Sequence, residues 1–304
     1  MKVAVTGANG FVGRHLMQTL GTANVSALGL VRATIAPEGS PALKPVNYQD
    51  TNTLVQRLAG CHSLIHLVGK AHNRGGNHLG DYCAVNVDIT LRVAAAAQQA
   101  GIKRFIFVSS VKAIGDATKP GEPFTNITKA KPADYYGKSK LMAEQRLQEF
   151  FKGTNTELLI VRPPLVWGEA PKGNLAAILK WAKTGIPLPL AGINNRRHWV
   201  SIERVCDFLA HLATREEPFN CPTPLLISDD QALSTPAAIE QMLRAQGLTC
   251  RLLPLPGTLW KLLLKLPGLG KPVAKLTGSL ELDASHTWAS TGFKPNRKKA
   301  APRP

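Results

Sequence analysis

The sequence predicts an α/β fold in which a doubly wound parallel sheet is followed by a smaller C-terminal α/β domain. Short apolar, β-branched runs alternate with helical patterns through the first half of the chain. Strands that alternate with helices pair in parallel through right-handed crossovers. A glycine-rich turn follows the first run at once, and the chain becomes richer in Pro and Gly after Pro163-Pro164. The 304 residues suffice for one large domain or two modest ones.

The elements of the sheet follow one another in order. A strand at 2–6 precedes the glycine turn, and a helix that includes 15–20 follows it. Further strands are predicted at 25–31, 63–68, 104–109 and 156–162. An alanine-rich helix spans about 84–100 and ends at Gly101, and another helix runs from Tyr136 through Phe150.

We place the domain boundary at residue 165, so that 1–165 form the first domain. Residues 166–304, with a basic C-terminal tail, form the second. A helix at about 203–214 is apolar on one face, and we expect it to pack back on the first domain.

Composition and cysteine usage indicate a cytoplasmic globular protein. The chain is 44% hydrophobic and 19% charged, as in ordinary folded domains. Its N-terminus lacks the pattern of a signal peptide, and no run of about twenty apolar residues predicts a spanning helix. The five cysteines are scattered without metal-like spacing, so we expect free thiols and no metal.

The formal charge of +17 raises the question of an anionic partner. Nucleic-acid module signatures are missing, and aromatic residues do not interleave with the basic clusters. A solvated basic surface is therefore the favoured interpretation, and nucleic-acid binding is a remote alternative.

Residues 259–266 combine leucines, Trp260 and two lysines before Pro267. The stretch could lie weakly on an anionic membrane, at the inner face of which the protein would then be peripheral. We favour a helix of the second domain whose lysines extend from a packed face, because the stretch is short.

The turn after the first strand carries Gly7, Gly10 and Gly13 at the spacing of a dinucleotide-binding turn. The first glycine permits the tight turn, the second lets backbone amides approach a pyrophosphate, and the third lets helix and strand pack closely. The helix N-terminus adds partial positive charge. This context predicts a Rossmann-type sheet that binds NAD or NADP through the turn, with Asn9, Phe11 and Val12 also in the site.

The end of the second predicted strand bears on the choice between the two cofactors. NAD-binding domains usually place a carboxylate there for the ribose hydroxyls. This strand instead ends at Arg32, with no acidic residue. Arginine can pair with a 2′-phosphate, so NADP is favoured and NAD is the alternative.

Tyr136 and Lys140 lie four residues apart, which puts them on one face of a helix. Tyrosine has a reference pKa of about 10 and is a poor base at neutral pH. A nearby cation favours the phenolate, so the pair can exchange a proton with a substrate hydroxyl or carbonyl.

With these motifs in place, nearly the whole chain resembles the extended short-chain dehydrogenase/reductase family of nucleotide-sugar epimerases, dehydratases and ketoreductases. The resemblance rests on six motifs in order: 7–13, 66–69, 85–88, 107–110, 136–140 and 162–168. It implies that Tyr136 is the acid/base, and that Lys140 lowers its pKa and holds the nicotinamide ribose. It also implies that Ser110, rather than the adjacent Ser109, hydrogen-bonds the reacting oxygen.

Further positions follow from the same resemblance. His66, Leu67 and Val68 match the segment beside the adenosine and pyrophosphate. Asn86 matches a residue that supports the active-site strand, although it could equally be a local helix cap.

One departure from the family pattern narrows the reaction. Dehydratases of the family follow the catalytic hydroxyl with an acidic pair, whereas Val111 and Lys112 follow Ser110 here. Elimination of water needs a general acid and a base. A dehydratase is therefore disfavoured, and a 4-epimerase or a 4-ketoreductase remains.

The second half resembles the nucleotide-sugar binding segment of bacterial polysaccharide-synthesis members. The resemblance maps the diphosphate contact to Arg197, a residue type suited to bidentate phosphate binding, and a nucleotide contact to Asn174. Segments 277–283 and 291–295 are similar to those of UDP-N-acetylquinovosamine-type 4-ketoreductases.

The sequence thus predicts an NADP-dependent oxidoreductase that reduces the 4-keto group of a nucleotide-activated deoxy sugar, with UDP as the favoured nucleotide, in the synthesis of bacterial surface polysaccharide. An NAD-dependent nucleotide-sugar 4-epimerase is the alternative. A non-catalytic NAD(P)-sensing protein is a second alternative, which the intact Ser110, Tyr136 and Lys140 disfavour. A homodimer is compatible with the sequence.

Overall fold

A computed structural model of the chain describes residues 1–32, 42–71, 78–168, 178, 180–219, 221, 224–249, 251–256, 258–259 and 270–295. The predicted contact residue Asn174 and nearly all of the stretch 259–266 lie outside these ranges. No helix within the described ranges is long and apolar enough to cross a membrane.

A seven-stranded parallel sheet forms the centre of the molecule, which confirms the predicted fold class. The strand order is β3-β2-β1-β4-β5-β6-β9. The strands are β1 (Lys2–Thr6), β2 (Ser26–Arg32), β3 (Leu43–Val46), β4 (Ser63–His66), β5 (Arg104–Val108), β6 (Glu157–Arg162) and β9 (Leu225–Leu226). A separate parallel pair joins β7 (Leu165–Trp167) to β8 (Trp199–Ser201).

Helices cover both faces of the sheet. The helices of the described ranges are α1 (Phe11–Thr22), α2 (Thr51–Leu58), α3 (Leu79–Cys83), α4 (Thr90–Gln99), α5 (Tyr135–Phe151), α6 (Ile202–Thr214), α7 (Thr235–Arg244), α8 (Gly270–Thr277) and α9 (Ser285–Thr291). Of these, α7 and α8 pack in an apolar cluster away from the sheet. A π-helical segment, Ala84–Ile89, joins α3 to α4, so the predicted helix at 84–100 is not regular along its length. Such segments often mark functional positions.

Two buried apolar clusters fix the helices on the sheet. One lies beneath α2, α4 and α5 and includes Leu64, Phe105 and Phe107. The other lies beneath α1 and α6 and includes Ile65 and Phe208. Because neighbouring residues of a strand point to opposite faces, β4 and β5 contribute to both clusters.

The strand order reverses between β1 and β4, and this position locates the functional crevice. In open α/β sheets, ligands bind beyond the carboxyl ends of the strands at such a switch point. Thr6 of β1 is in register with His66 of β4 and with Leu30 of β2. The residues that follow these strands therefore meet at one edge of the sheet.

Several elements beyond residue 165 pack on the seven-stranded sheet, among them α9, whose Trp288 lies against Phe208 of α6. The short strand β9 pairs with β6, and α6 packs with α1 in the same apolar cluster. Another apolar cluster, which includes Leu188, Trp199 and Ile239, lies apart from the two on the sheet, and the elements beyond residue 165 that contribute to it are called the second lobe. β3 and α2 were not predicted from the sequence; both are short, and α2 follows its N-cap residue Asp50.

Candidate active site

The glycine turn lies at the switch point between β1 and β4. Gly7 has φ +69°, which favours glycine over other residues. A Cβ at Gly13 would lie 2.3 Å from the carbonyl oxygen of Gly7, and one at Gly10 would lie 3.0 Å from it. The turn and the start of α1 are therefore closer together than side chains would allow, as the dinucleotide-binding pattern requires.

The turn fits the pyrophosphate of a dinucleotide. Gly10 is the N-cap of α1 and makes no side-chain capping bond, so the first amides of the helix are free to meet an anion. Phe11 and Val12 begin the helix, and Asn9 is part of the turn beside it. Leu67 and Val68 lie directly against the turn, since a Cβ at Gly7 would be 3.2 Å from the Leu67 carbonyl carbon.

A buried tyrosine outside the predicted motifs, Tyr48, also contacts the turn. Tyr48 follows β3, and its hydroxyl accepts a hydrogen bond from the Gly7 amide (3.3 Å) while donating to the Leu30 carbonyl (3.1 Å). Burial raises the pKa of Tyr48 to about 12, so the phenol stays protonated. Only the packing of β3 beside β2 brings it here. Arg32 ends β2 with an exposed side chain close enough to act electrostatically on Tyr48.

His66 is near the turn but is fully buried and does not face the crevice. Its Nδ1 lies 2.8 Å from Thr6 Oγ1, and its Nε2 lies 3.0 Å from Thr90 Oγ1. The Thr90 hydroxyl donates to the Asn86 carbonyl (2.8 Å), so it must accept from His66 Nε2–H. Burial, reinforced by the charge of Lys140, lowers the pKa of His66 to about 3. Of the predicted segment 66–68, Leu67 and Val68 thus lie at the turn, whereas the His66 side chain supports the sheet from within.

Asn86 lies in the π-helical segment and is not a helix cap. Its Oδ1 accepts from the Lys70 amide (2.7 Å), and its Nδ2 donates to the Lys70 carbonyl (3.1 Å) and to Ser139 Oγ (2.8 Å). The Ser139 hydroxyl donates in turn to the Tyr136 carbonyl (2.8 Å). Asn86 therefore connects the segment after β4 with the helix that carries Tyr136.

Ser110 and Tyr136 come together beyond the carboxyl end of β5. Tyr136 is the second residue of α5, and the Ser110 side chain hydrogen-bonds to its phenol. Burial raises the pKa of Tyr136 to about 12; the Ser110 hydrogen bond lowers it, and the charge of Asp134 raises it. Ser109, in contrast, is buried, and its hydroxyl has no hydrogen-bond partner among the described residues. The structure thus places Ser110, not Ser109, beside the phenol.

Lys140 lies one turn after Tyr136, buried behind it. Its Nζ donates to the Val108 carbonyl (2.9 Å) and lies 4.6 Å from the centre of the Phe107 ring. Burial lowers the pKa of Lys140 to about 8, against the opposing charge of Glu144. The resemblance implied that Lys140 lowers the pKa of Tyr136. That effect stays a prediction; burial has the largest effect on the pKa of Tyr136 in this structure, and the phenol is protonated at neutral pH.

Arg197 lies across the crevice in the second lobe. Its guanidinium donates to the Gly278 carbonyl (2.6 Å), and its backbone pairs with Leu233. Burial lowers the pKa of Arg197, and the charge of Asp116 raises it. Asp116 contacts Lys112 in the segment after Ser110, so Arg197 lies within electrostatic reach of that segment. Asn174, the predicted nucleotide contact, lies outside the described residues.

Neighbouring Asn195 organises the backbone around Arg197. Its Nδ2 donates to Thr235 Oγ1 and to the carbonyls of Leu276 and Gly278 at 2.8–3.1 Å. Its Oδ1 accepts from the Thr235 amide at 2.8 Å. These hydrogen-bond partners lie about forty and eighty residues further along the chain. No local pattern in the sequence indicates them.

The model of the NAD dependent epimerase/dehydratase family matches residues 3–222, which include the glycine turn, Ser110, Tyr136 and Lys140. The chain belongs to this family. This membership confirms the predicted relationship to the extended short-chain dehydrogenases/reductases and the prediction of an NAD(P)-dependent enzyme.

Curated relatives extend the similarity over almost the whole chain. A protein of Vibrio cholerae named UDP-glucose 4-epimerase is 31% identical over 96% of this chain and 90% of its own length. A protein of Escherichia coli O157:H7, named N-acetyl-alpha-D-glucosaminyl-diphospho-ditrans,octacis-undecaprenol 4-epimerase, is 30% identical over 69% of this chain and 62% of its own length.

Solved structures of other proteins share the fold. UDP-N-acetylglucosamine 4-epimerase from Bacillus cereus superimposes with a TM-score of 0.78 at 18% identity, covering 99% of this chain and 93% of that chain. The Bordetella bronchiseptica enzyme WbmG, solved in complex with NAD and UDP, gives a TM-score of 0.72 at 19% identity, covering 97% and 88%.

Proposed function

We propose that this family member is an NADP-dependent 4-ketoreductase that reduces the 4-keto group of a UDP-activated deoxy sugar. The observation that carries the proposal is the placement of Ser110 and Tyr136 side by side, with Lys140 one turn behind, at the edge of the sheet where the glycine turn lies. This arrangement can deliver a proton to an oxygen while a hydride reaches the adjoining carbon.

The reduced nicotinamide supplies the hydride when the cofactor is bound. The phenol of Tyr136 is protonated at neutral pH, since burial raises its pKa to about 12, and it therefore begins the reductive direction as the acid. It donates its proton to the alkoxide that forms at C4. The Ser110 hydroxyl hydrogen-bonds the same oxygen and orients the carbonyl. Lys140 would hold the nicotinamide ribose.

Arg197 and Asn174 would bind the diphosphate or nucleotide of the substrate. Arg197 already donates to a backbone carbonyl and keeps further N–H groups for a phosphate. Its partial burial favours this role because a charge-assisted hydrogen bond is stronger when water is excluded.

A nucleotide-sugar 4-epimerase with bound NAD is the second candidate. The similarity over nearly the full length to a Vibrio cholerae protein named UDP-glucose 4-epimerase favours it. An epimerase must withdraw and return the hydride within one turnover, so its cofactor stays bound. Arg32 favours the reductase, because the described part of β2 ends on this exposed cation and an arginine can pair with a 2′-phosphate.

One set of incubations distinguishes the two candidates. The purified protein is mixed with UDP-sugars in one arm and with 4-keto UDP-sugars plus NADPH or NADH in the other. Stoichiometric oxidation of NADPH with a 4-keto substrate supports the reductase. Interconversion of C4 epimers without net change in cofactor absorbance, and NAD released on denaturation, supports the epimerase. Tyr136→Phe should abolish turnover and retain cofactor binding; retained turnover would refute the assignment of Tyr136.

The cofactor preference is tested separately through Arg32. Arg32→Ala should raise the KM for NADPH about tenfold or more and leave the KM for NADH nearly unchanged, since a bound phosphate would lose its cation. The exposed Arg92→Ala on α4 is the matched control. An equal effect on both cofactors would argue against a 2′-phosphate contact.

A further inference from the structure

Lys112 links the segment after Ser110 to the helix that carries Tyr136. It lies in a 3₁₀ turn (Val111–Ala113) that Ser110 caps, since Ser110 Oγ accepts from the Lys112 amide at 3.2 Å. Its Nζ lies 2.7 Å from Asp116 Oδ1 and 2.6 Å from Asp134 Oδ2. The side chain is 29% exposed, so both ion pairs are partly shielded from solvent.

Asp134 connects this pair directly to the start of α5. It is the N-cap residue, and its Oδ1 accepts from the Gly137 amide at 2.8 Å. One carboxylate thus caps the helix with one oxygen and binds Lys112 with the other. Tyr136 lies in the single turn of helix that this carboxylate caps.

The backbones of the two segments also touch. A Cβ at Gly137 would lie 2.3 Å from the Lys112 carbonyl oxygen, so only glycine fits between them. The Lys131 amide donates to the Ile114 carbonyl at 2.7 Å, which holds the chain before α5 on the same segment. Ser110 and Tyr136 therefore belong to two segments joined by backbone contact as well as by charge.

The charges around Tyr136 are few and come from several elements. Asp134 is the anion whose charge opposes ionisation of the phenol. Lys112 is bound to this anion at 2.6 Å, and Lys275 of α8 lies 3.8 Å from it. Among the described residues, the other titratable or charged groups near this cluster are Asp116 beside Lys112, Arg197 from the second lobe, Tyr82 of α3, and Lys140 on α5 itself.

We propose that Lys112 is a positioning residue for Tyr136: its ion pairs with Asp116 and Asp134 hold the Ser110 segment on the first turn of α5 and offset the carboxylate next to the phenol. The proposal rests on the proposed acid/base role of Tyr136. Lys112 is one of the two residues that stand where the family's dehydratases have an acidic pair, so the proposal gives this departure a function.

A fully exposed ion pair on the surface would not hold two segments together in this way. Lys119 and Glu122, in the same connecting segment, lie 3.6 Å apart with side chains 80% and 67% exposed. Pairs of that kind contribute little because solvent screens them. Lys112 has shorter contacts, less exposure and two partners, one of which caps the catalytic helix.

The test follows the ionisation of Tyr136 directly and needs no substrate. The chain has four tyrosines, so ¹³Cζ-labelled tyrosine gives a simple NMR spectrum, in which Tyr136→Phe assigns the Tyr136 signal. The measured quantity is the onset, the alkaline pH at which the Tyr136 signal begins to shift. It is recorded for the wild type, Lys112→Met and Asp134→Asn. Circular dichroism at each pH restricts the comparison to folded protein.

We expect opposite shifts in the two variants. Lys112→Met should move the onset upward by about 0.5–1 pH unit, because it leaves Asp134 uncompensated. Asp134→Asn keeps a good helix cap and should move the onset downward by a similar amount. The double variant should return close to the wild type, and Lys119→Met should not differ from it. A purely structural role predicts no such reversal of sign.

Kinetics supply the second measurement once a substrate is identified. Lys112→Met should lower kcat about tenfold or more with a smaller change in KM, and Lys112→Arg should recover most of the loss. Unchanged onsets in both single variants, or shifts of the same sign, would overturn the proposal even if the enzyme proved to be an epimerase. Opposite shifts without any turnover would uphold the charge relationship and refute the proposed function instead.

Discussion

Asn86 Nδ2 donates a hydrogen bond to Ser139 Oγ over 2.8 Å, and this bond completes a buried polar chain across the site. The chain begins at Thr6, just before the glycine turn, and passes through His66 and Thr90 to the carbonyl of Asn86. It continues through Ser139 to the Tyr136 carbonyl. The strand that leads into the cofactor turn and the helix that carries the acid/base are thus fixed to each other by consecutive hydrogen bonds.

Replacing Asn86 should loosen this connection. Asn86→Ala leaves the half-buried Lys70 amide and the fully buried Ser139 hydroxyl without the partner that Asn86 provides. Each unsatisfied buried group costs about 1–3 kcal/mol, so we expect the free energy of unfolding to fall by roughly 2–4 kcal/mol. Urea denaturation measures the loss. Asn52→Ala, at an exposed position in α2, is the control. If both variants lowered the free energy of unfolding by the same small amount, the hydrogen bonds of Asn86 would not hold the two elements together.

His66 should make the fold sensitive to acid. Its folded pKa of about 3 lies far below the ordinary value of 6.5. The folded state therefore holds a neutral imidazole where the unfolded chain binds a proton, and this contribution to stability, complete above pH 6.5, is lost as the pH falls toward 3. Between pH 7 and pH 5 the expected loss is about 2 kcal/mol.

Denaturant titrations at the two pH values measure this slope. His66→Gln, which keeps a donor and an acceptor, should lower stability at pH 7 and lose less on acidification. His78→Gln removes an exposed imidazole and should retain the wild-type slope. A His66→Gln variant with the full acid sensitivity would assign that sensitivity to other groups.

We expect the buried ammonium of Lys140 to lower the free energy of unfolding at neutral pH. Burial depresses its pKa from 10.5 to about 8, so the ammonium destabilises the folded protein at pH 7. Lys140→Met should therefore be more stable at pH 7 by roughly 1–3 kcal/mol, despite losing the hydrogen bond to Val108. The same variant should be inactive.

The stability difference between Lys140→Met and the wild type should depend on pH. Between pH 8 and 10.5 the unfolded wild type binds the proton that the folded form has lost, so wild-type stability rises with pH across this window. The advantage of Lys140→Met should then shrink by about 2 kcal/mol between pH 7 and pH 10. Lys138→Met, on the exposed side of the same helix, should show no such convergence. A constant difference would contradict the buried charge.

The features that the sequence predicted are those encoded locally. Three glycines within seven residues specify the turn, and a spacing of four places Tyr136 and Lys140 on one helix face. The bonds that complete the site join distant positions: Asn86 and Ser139 are 53 residues apart, and Lys112 and Asp134 are 22 apart. A single sequence does not reveal such pairs, because they depend on how strands and helices stack in the finished sheet.

Gly137 shows how tightly that stacking is specified. A glycine inside a helix is ordinarily about 1 kcal/mol less favourable than alanine, so Gly137→Ala would stabilise an isolated helix. Here the added Cβ would lie 2.3 Å from the Lys112 carbonyl oxygen. Backbone has to move to admit it, which typically costs about 1–3 kcal/mol or more. We therefore expect a net loss of stability of roughly 2 kcal/mol and a fall in kcat as α5 shifts away from Ser110.

Gly80→Ala is the matched control, because a Cβ at this position in α3 would meet no atom of the described part of the chain within 4 Å, the backbone of α3 aside. It should leave activity unchanged and raise the unfolding free energy by up to about 1 kcal/mol. Thermal denaturation and steady-state kinetics of the two variants measure both effects. If Gly137→Ala were as stable and as active as Gly80→Ala, the first turn of α5 could not rest on Lys112, and the close contact between the Ser110 segment and the Tyr136 helix would be refuted.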